Sequence, residues 1–217
     1  MPKQVDYEDR RRRIAEAVRT LIARSGMEAV SLRDVAAEAS VSMGAVQRCF
    51  RTKDEMLLFA LEDISARVGE RARARIEASG TPRSAATLLD RTLSALALVE
   101  PQDRAEAQVW GAFVAHAAVS EPLAAVLRET YAKLHELLVW LLDYGMSTGE
   151  FHASLNPTAE ARALLAMAEG LTGQVLVGHQ TPESATGALR RYAAGLGPPP
   201  ELESEPVSSP SVPRSAG

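Results

Sequence analysis

A short polar segment near the N-terminus, Met43–Cys49, carries side chains that are suited to hydrogen-bond the edge of a nucleic-acid base. Arg48 has a forked guanidinium that can donate two parallel hydrogen bonds to guanine O6 and N7, and Gln47 can pair with an adenine edge. Lys53 follows at the start of a predicted helix, where its ammonium group and the free backbone N–H groups together suit a phosphate. These residue types in this order indicate a segment that reads double-stranded DNA.

Two short predicted helices, separated by a three-residue turn, must position this segment. Ser31 can cap the first helix, which ends near Ala39, and Ser42 can cap the second, Met43–Cys49. In the second helix Val46 and Phe50 are expected to face inward. The residues predicted to face outward are small or polar, as the major groove requires: Met43, Gly44, Ala45, Gln47 and Arg48. Such a helix pair also occurs in many helical proteins, so the pattern alone does not decide its function.

The rest of the chain is expected to be helical as well, which makes the fold class all-α. The first helix is predicted over 7–24, and a fourth opens at Thr52, where Thr52 and Glu55 can form a reciprocal capping box, and continues to about residue 78. Prolines and glycines separate further helices over 83–98, 103–118, 122–148, 158–177 and 183–196. We therefore predict an N-terminal three-helix domain over 1–51, a larger helical domain over 52–197, and a disordered tail over 198–217.

Charge and composition exclude several classes of protein. The 217 residues carry a formal net charge of −4, but residues 1–60 carry +2 and the remainder −6, with Arg10, Arg11, Arg12 and Arg13 at the start of the first helix. These arginines suit phosphate contact, or equally a solvated helix end. No apolar run reaches the ~20 residues of a membrane span, and the N-terminus lacks the apolar centre of a secretory signal. We expect a cytoplasmic protein with no membrane partner.

No catalytic, cofactor or metal constellation stands out. The chain has no glycine-rich phosphate loop and no nucleophile elbow, so neither an enzyme nor a cofactor is predicted. The four histidines, His116, His135, His152 and His179, do not pair at helical spacing, so no metal site is predicted. The single cysteine, Cys49, lies on the second short helix, where oxidation could release DNA, although a buried structural cysteine is much commoner.

The stretch from Arg12 to Leu58, and above all Ser31–Ala36 and Val41–Leu57, resembles the DNA-binding domain of the tetracycline-repressor (TetR/AcrR) family. The resemblance implies that Ser31 and Ser42 cap helices near phosphates and that Lys53 binds a phosphate. It implies groove contacts from Met43 and from Gln47 or Arg48, to which Arg33 of the preceding helix can add. Two residues depart from the usual pattern: Ser40 stands where many relatives have glycine, and Gln47 where many have a phosphate-binding tyrosine. The second departure puts that phosphate contact in doubt and could change the bases that are read.

The resemblance also implies a homodimer that binds a palindromic operator and responds to a small-molecule effector. The segment from Arg104 to Phe151 resembles the C-terminal domain of the BetI-like branch. In the family the last two long helices form the dimer interface, and the apolar residues predicted for it here are Leu164, Met167, Ala168, Leu171, Val175, Leu189 and Tyr192. Gly170 and Gly173 would permit close approach of two helices.

Aromatic and histidine side chains concentrate in the middle of the larger domain, and they could line an apolar effector pocket. The predicted pocket residues are Trp110, Phe113, His116, Tyr131, His135, Trp140 and Tyr144. Ordinary core packing is the better explanation for each of them singly, and only the group as a whole points to a pocket. The alternative from another class is a helical dimer that binds a small molecule or a protein and does not recognise an operator.

Overall fold

The computed structural model describes residues 2–198, in which nine α-helices are present and no strand. The helices are α1 Pro2–Ser25, α2 Leu32–Glu38, α3 Met43–Cys49, α4 Lys53–Glu77, α5 Ala85–Leu96, α6 Arg104–Ala117, α7 Glu121–Thr148, α8 Pro157–Leu176 and α9 Pro182–Ala194. Short 3₁₀ turns at Met27–Ala29 and Pro101–Asp103 precede α2 and α6. The all-α prediction is confirmed, and α3 has the predicted bounds. The predicted tail lies outside the described residues except for Pro198.

Helix starts follow the predicted caps, with one difference. The hydroxyls of Ser31, Ser42 and Thr52 accept hydrogen bonds from the backbone N–H groups three residues later, at 3.2, 3.1 and 3.0 Å. The expected reciprocal half of the capping box is wrong: the Glu55 carboxylate accepts from the N–H of Arg51 at 2.8 Å and not from that of Thr52. The carboxylate still satisfies a free donor beside the first turn of α4.

Two hydrophobic clusters form the interior. The head cluster joins α1 to α4 with α6 and the first half of α7, and its buried members include Ile14, Val18, Val46, Phe50, Met56, Ile64, Phe113 and Leu123. The body cluster joins α5, the second half of α7, α8 and α9, and includes Leu89, Leu93, Leu138, Leu142, Phe151, Leu164 and Leu189. The packing of the N-terminal helices thus continues into α6 and α7, past the predicted domain boundary at residue 51, which stays a prediction.

The end of α7 shows how sequence-distant segments are held together. Gly149 ends the helix in the left-handed conformation (φ 75°), which glycine adopts without steric cost. Phe151 then folds back onto Gly145, where a Cβ atom would lie 2.0 Å from the ring.

Along residues 2–198 no helix combines the length and the apolar character needed to cross a bilayer.

Candidate functional site

Helices α2 and α3 present a polar surface above the head cluster. Val46 and Phe50 are buried as predicted, at 0% and 1% exposure, and they fix α3 to the core. Met43 is 51% exposed, and Gln47 and Arg48 are exposed beside it. The exposed face of α3 therefore carries one apolar side chain and two hydrogen-bonding ones, which is the chemistry that base edges require.

The other residues predicted for this surface are placed as follows. Ser31, Arg33 and Ser42 are exposed, and Lys53 is partly buried at the first residue of α4. Gly44 is partly buried, with room for a Cβ atom 3.6 Å from the Arg48 guanidinium. Ala45 was expected to face outward, but it is only 7% exposed and packs inward, because its position on α3 turns it towards the core beside Val46.

One arginine of the basic N-terminal run has a role that the sequence did not reveal. The guanidinium of Arg11 lies 4.2 Å from the ring centre of Phe59 and 5.0 Å from that of Phe50. This stacking joins α1 to the end of α3 and to α4, and cation–π pairs of this kind contribute on the order of 1 kcal/mol. Arg12 and Arg13 are exposed. Of Arg11, Arg12 and Arg13, therefore, only the last two keep guanidinium groups that are free to contact phosphates.

Cys49 packs behind the exposed face of α3 and is buried. Burial raises the pKa of its thiol, although Arg10, Arg11 and Arg48 partly oppose the shift. A protonated buried thiol is a poor nucleophile, so the site favours the structural role of Cys49 over the redox one.

A cavity of about 430 Å³ lies between α4, α5, α6, α7 and α8, and its walls are mostly apolar. Three of the seven predicted pocket residues line it, namely Trp110, Tyr131 and Trp140. One face of α4 supplies a wall at four-residue spacing, through Ile64, Val68, Ala72 and Ile76. That spacing is visible in the sequence, but these four residues were not among those predicted for the pocket.

The four remaining predicted pocket residues lie elsewhere. Phe113 is fully buried in the head cluster, and His116 is partly buried on α6 outside the cavity wall. His135 lies 3.2 Å from the carbonyl oxygen of Thr158, and Tyr144 donates a hydrogen bond to the carbonyl of Arg83 at 2.9 Å. These four residues lie on α6 and α7, the helices that also carry the three cavity-lining residues. They do not reach the cavity, because each helix turns only one face towards it.

Comparisons with known proteins agree with this architecture. Residues 14–60 match the sequence model of the bacterial regulatory proteins of the tetR family, and residues 85–198 match the C-terminal domain of BetI-type transcriptional repressors. The transcriptional regulator PksA of Bacillus subtilis is 30% identical over 175 residues, which cover 79% of this chain and 80% of PksA. This chain belongs to the TetR family. It is a DNA-binding transcriptional regulator and not an enzyme.

Other relatives extend the same likeness over most of the chain. The transcriptional regulator BetI of Brucella canis is 29% identical over 189 residues, covering 86% of this chain and 89% of BetI. A crystal structure of a transcriptional regulator from Rhodococcus sp. Rha1 has a TM-score of 0.72 and 31% identity, covering 86% of this chain and 95% of that one.

Most of the residues predicted for the dimer interface on α8 and α9 are buried within the protomer. Leu164, Ala168, Leu171 and Leu189 are at most 6% exposed and belong to the body cluster of their own protomer, so they offer no surface to a second copy. Met167 and Val175 are partly buried against that cluster. Tyr192 is 39% exposed and donates a hydrogen bond to Glu160 at 2.8 Å. The exposed side of α8 carries a row of small residues, Ala159, Ala163, Ala166, Gly170 and Gly173, which continues to Val177 just after the helix. Thr158, Arg162 and Glu169 are exposed on α8 as well.

Proposed function

We propose that this regulator is a repressor that binds a palindromic operator as a homodimer and is released when a small molecule fills the cavity. The observation that carries the proposal is the position of the cavity between the head cluster and the body cluster. Ile64 and Trp110 on its wall pack with the head cluster, whereas Leu165 and Ala168 pack with the body cluster. A ligand that fits one spacing of these two packed units better than another shifts the protein towards that spacing.

Ion pairs along α4 can carry that change to α1, which packs against α2 and α3. Asp63 of α4 binds Arg19 of α1, and Arg67 reaches the same carboxylate at 3.2 Å. Further along α4, Arg71 lies 2.7 Å from Glu106 and 3.7 Å from the buried Asp103. Since α4 also supplies a wall of the cavity, a shift of α4 moves α1 and α6 with it. The coupling needed for release is about 1 to 3 kcal/mol, the usual range for such systems.

The exposed face of α8 supports the homodimer. Five small residues of α8, and Val177 just after it, recur every three or four positions, so they form one continuous stripe in which two helices can approach closely. The exposed Arg162 and Glu169 lie beside this stripe. Val177, at its end, is 80% exposed. A symmetric pair formed through this stripe would place two α3 helices on one side, for half-sites about 34 Å apart.

The dimer is tested with a charged residue in the middle of the stripe. Ala166→Arg is expected to give a monomer in sedimentation equilibrium and to abolish tight operator binding. Ala132→Arg, on the exposed face of α7, is the matched control and should leave the dimer intact. A dimer that survives Ala166→Arg would show that α8 is not the interface.

Operator recognition is tested by selecting bound fragments from genomic DNA with the purified protein. A recovered palindrome with strong salt dependence of binding is expected, because each phosphate contact releases counterions. If no sequence is enriched at low salt, the chain is a binding module without operator recognition.

A further inference from the structure

A buried carboxylate at the contact between α4 and α6 has an oxygen without a partner. Asp103, the residue before α6, is 1% exposed, and its Oδ2 atom accepts no hydrogen bond from the described residues. An aspartate at this N-cap position usually accepts a bond from the first turn of its helix, but the Asp103 side chain does not. Burial raises the pKa of Asp103, and the nearby Arg71 and Arg75 oppose this shift. A carboxylate buried in this way is stabilised by any guanidinium that moves closer.

The guanidinium of Arg71, on α4, is shared unequally between two carboxylates at the start of α6. Its Nη2 atom binds Glu106 at 2.7 Å, whereas Nη1 lies 3.7 Å from Asp103, and its buried Nε has no acceptor among the described residues. A charge-assisted hydrogen bond to Asp103 would be about 2.8 Å long, so a movement of about 1 Å between α4 and α6 completes it. Helix shifts of about 1 to 2 Å are usual in proteins that switch.

The cavity and the head are both connected to this contact. Ala72, next to Arg71, lines the cavity from α4, and Trp110 lines it from α6. A ligand that favours one spacing of these walls therefore changes the distance that Arg71 must span. Asp63, about two turns before Arg71 on α4, binds Arg19 of α1, so a movement of α4 against α6 also reaches the head cluster.

We propose that Arg71 is a two-position switch: its guanidinium passes from Glu106 to Asp103 when the spacing of α4 and α6 changes, and this transfer alters the operator affinity of the protein. The inference rests on the proposed function, since it assigns the contact through which the same cavity acts. The short bond to Glu106 favours the first position, and pairing of the buried Asp103 favours the second. Because each position has its own carboxylate, a ligand needs only a small difference in affinity to change which one is populated.

Glu106→Gln is expected to move the switch without any ligand. The substitution removes the charge that holds Arg71 in the first position, so the guanidinium should pass to Asp103. We expect the operator affinity, measured by fluorescence anisotropy, to change by at least about fivefold. Glu70→Gln removes an exposed carboxylate from α4 outside the contact. It is the matched control and should stay within about twofold of the wild type.

The double variant Asp103→Asn/Glu106→Gln separates the switch from a merely structural role. It lacks the acceptor of the second position, so its operator affinity should return towards the wild-type value. Glu106 also attracts Arg19 of α1. That attraction is lost in the single and in the double variant alike, so a recovery caused by Asp103→Asn reports the position of Arg71.

The position of the guanidinium is also measured without operator DNA. In a crystal structure of Glu106→Gln, Nη1 of Arg71 is expected within about 3 Å of Asp103. In solution, Trp140→Phe leaves Trp110 as the one tryptophan of the chain, four residues after Glu106 on α6. Its emission should shift in Glu106→Gln and return in the double variant. If Glu106→Gln does not fold, Glu106→Asp, whose carboxylate is one methylene group further back, tests the same transfer.

Two results would overturn the switch: Arg71 still bound to residue 106 in the structure of Glu106→Gln, or a double variant whose operator affinity lies further from the wild type than that of the single variant. Either result would leave effector release standing, because release does not require this contact. An operator complex that no small molecule dissociates would instead remove effector control, while the transfer seen in the ligand-free variants would still hold.

Discussion

The carboxylate of Glu150 accepts a hydrogen bond from the backbone N–H of Ala85, 2.8 Å away, although 65 positions separate the two residues. Its other oxygen accepts from the N–H of Ala86 and from the hydroxyl of Ser84, at 3.1 and 2.6 Å. A carboxylate that follows the end of α7 therefore neutralises the positive N-terminus of α5. This contact ties the wall of the cavity that α5 provides to the turn after α7.

Glu150→Gln should lower the free energy of unfolding by about 1 kcal/mol at neutral pH, because the charge at the helix N-terminus is lost. Partial burial raises the pKa of Glu150, but the hydrogen bonds from Ser84, Ala85 and Ala86 outweigh it, so the pKa lies below its ordinary value. The stabilisation is therefore complete above the unfolded-state pKa of about 4.3 and is lost as the pH falls through the lower folded-state value. Urea unfolding at pH 7 and at about pH 3 measures both.

The control for this experiment is Glu136→Gln, whose carboxylate is exposed on α7. Its unfolding free energy should match that of the wild type at both pH values. A difference between Glu150→Gln and the wild type that persists unchanged in acid would show that the charge of Glu150 is not the cause.

Gly145→Ala should destabilise the protein by about 2 kcal/mol, because the added methyl group overlaps the ring of Phe151 in a packed core. Gly111→Ala is the matched control, since Gly111 is exposed in α6 and no other atom lies within 4 Å of its Cβ position. That substitution should raise stability by up to about 1 kcal/mol through helix propensity. Thermal or urea unfolding measures the stability of both variants. Equal changes in the two would show that overlap with Phe151 does not cause the effect of Gly145→Ala.

Ser40 adopts the left-handed conformation (φ 53°) in the turn between α2 and α3. A side chain with a Cβ atom pays a steric cost there that glycine avoids. Ser40→Gly should stabilise the folded chain by about 0.5 kcal/mol. The substitution removes the steric cost, but the greater freedom of glycine in the unfolded state offsets part of that gain. Ala132→Gly in the middle of α7 should instead cost about 1 kcal/mol, and chemical unfolding of the two variants should give opposite signs.

Elements that depend on local signals were predictable from the sequence. Ser42 and Thr52 each accept the backbone hydrogen bond that their spacing suggested, so the starts of α3 and α4 are where the caps place them. Periodicity likewise identified Val46 and Phe50 as buried. These features need only a few neighbouring residues, and the physics of caps and helical faces is the same in every fold.

Features that depend on tertiary packing could not be predicted in this way. The apolar stripe of α8 was assigned to a second subunit, but Leu164 and Leu171 are covered by the protomer itself, since periodicity defines a face and not what covers it. The hydrogen bonds that Trp110 and Tyr131 donate to Glu169 were not predicted, because the three side chains lie on three different helices. The sequence places neither helix beside α8.

The roles proposed for Arg48 and Lys53 differ in a measurable way. Arg48 is exposed on α3, where a base contact would be lost in Arg48→Ala at a cost of about 1 to 3 kcal/mol for one base pair of the operator. Lys53 lies at the start of α4, and Lys53→Ala should weaken binding to all sequences and reduce the salt dependence by about one phosphate contact. Fluorescence anisotropy with a set of single-base operator variants, at several salt concentrations, separates the two effects. Arg33→Ala, on α2, should resemble Lys53→Ala if the Arg33 guanidinium binds the phosphate backbone of the DNA. Equal loss of base discrimination in Arg48→Ala and Lys53→Ala would contradict the assigned roles.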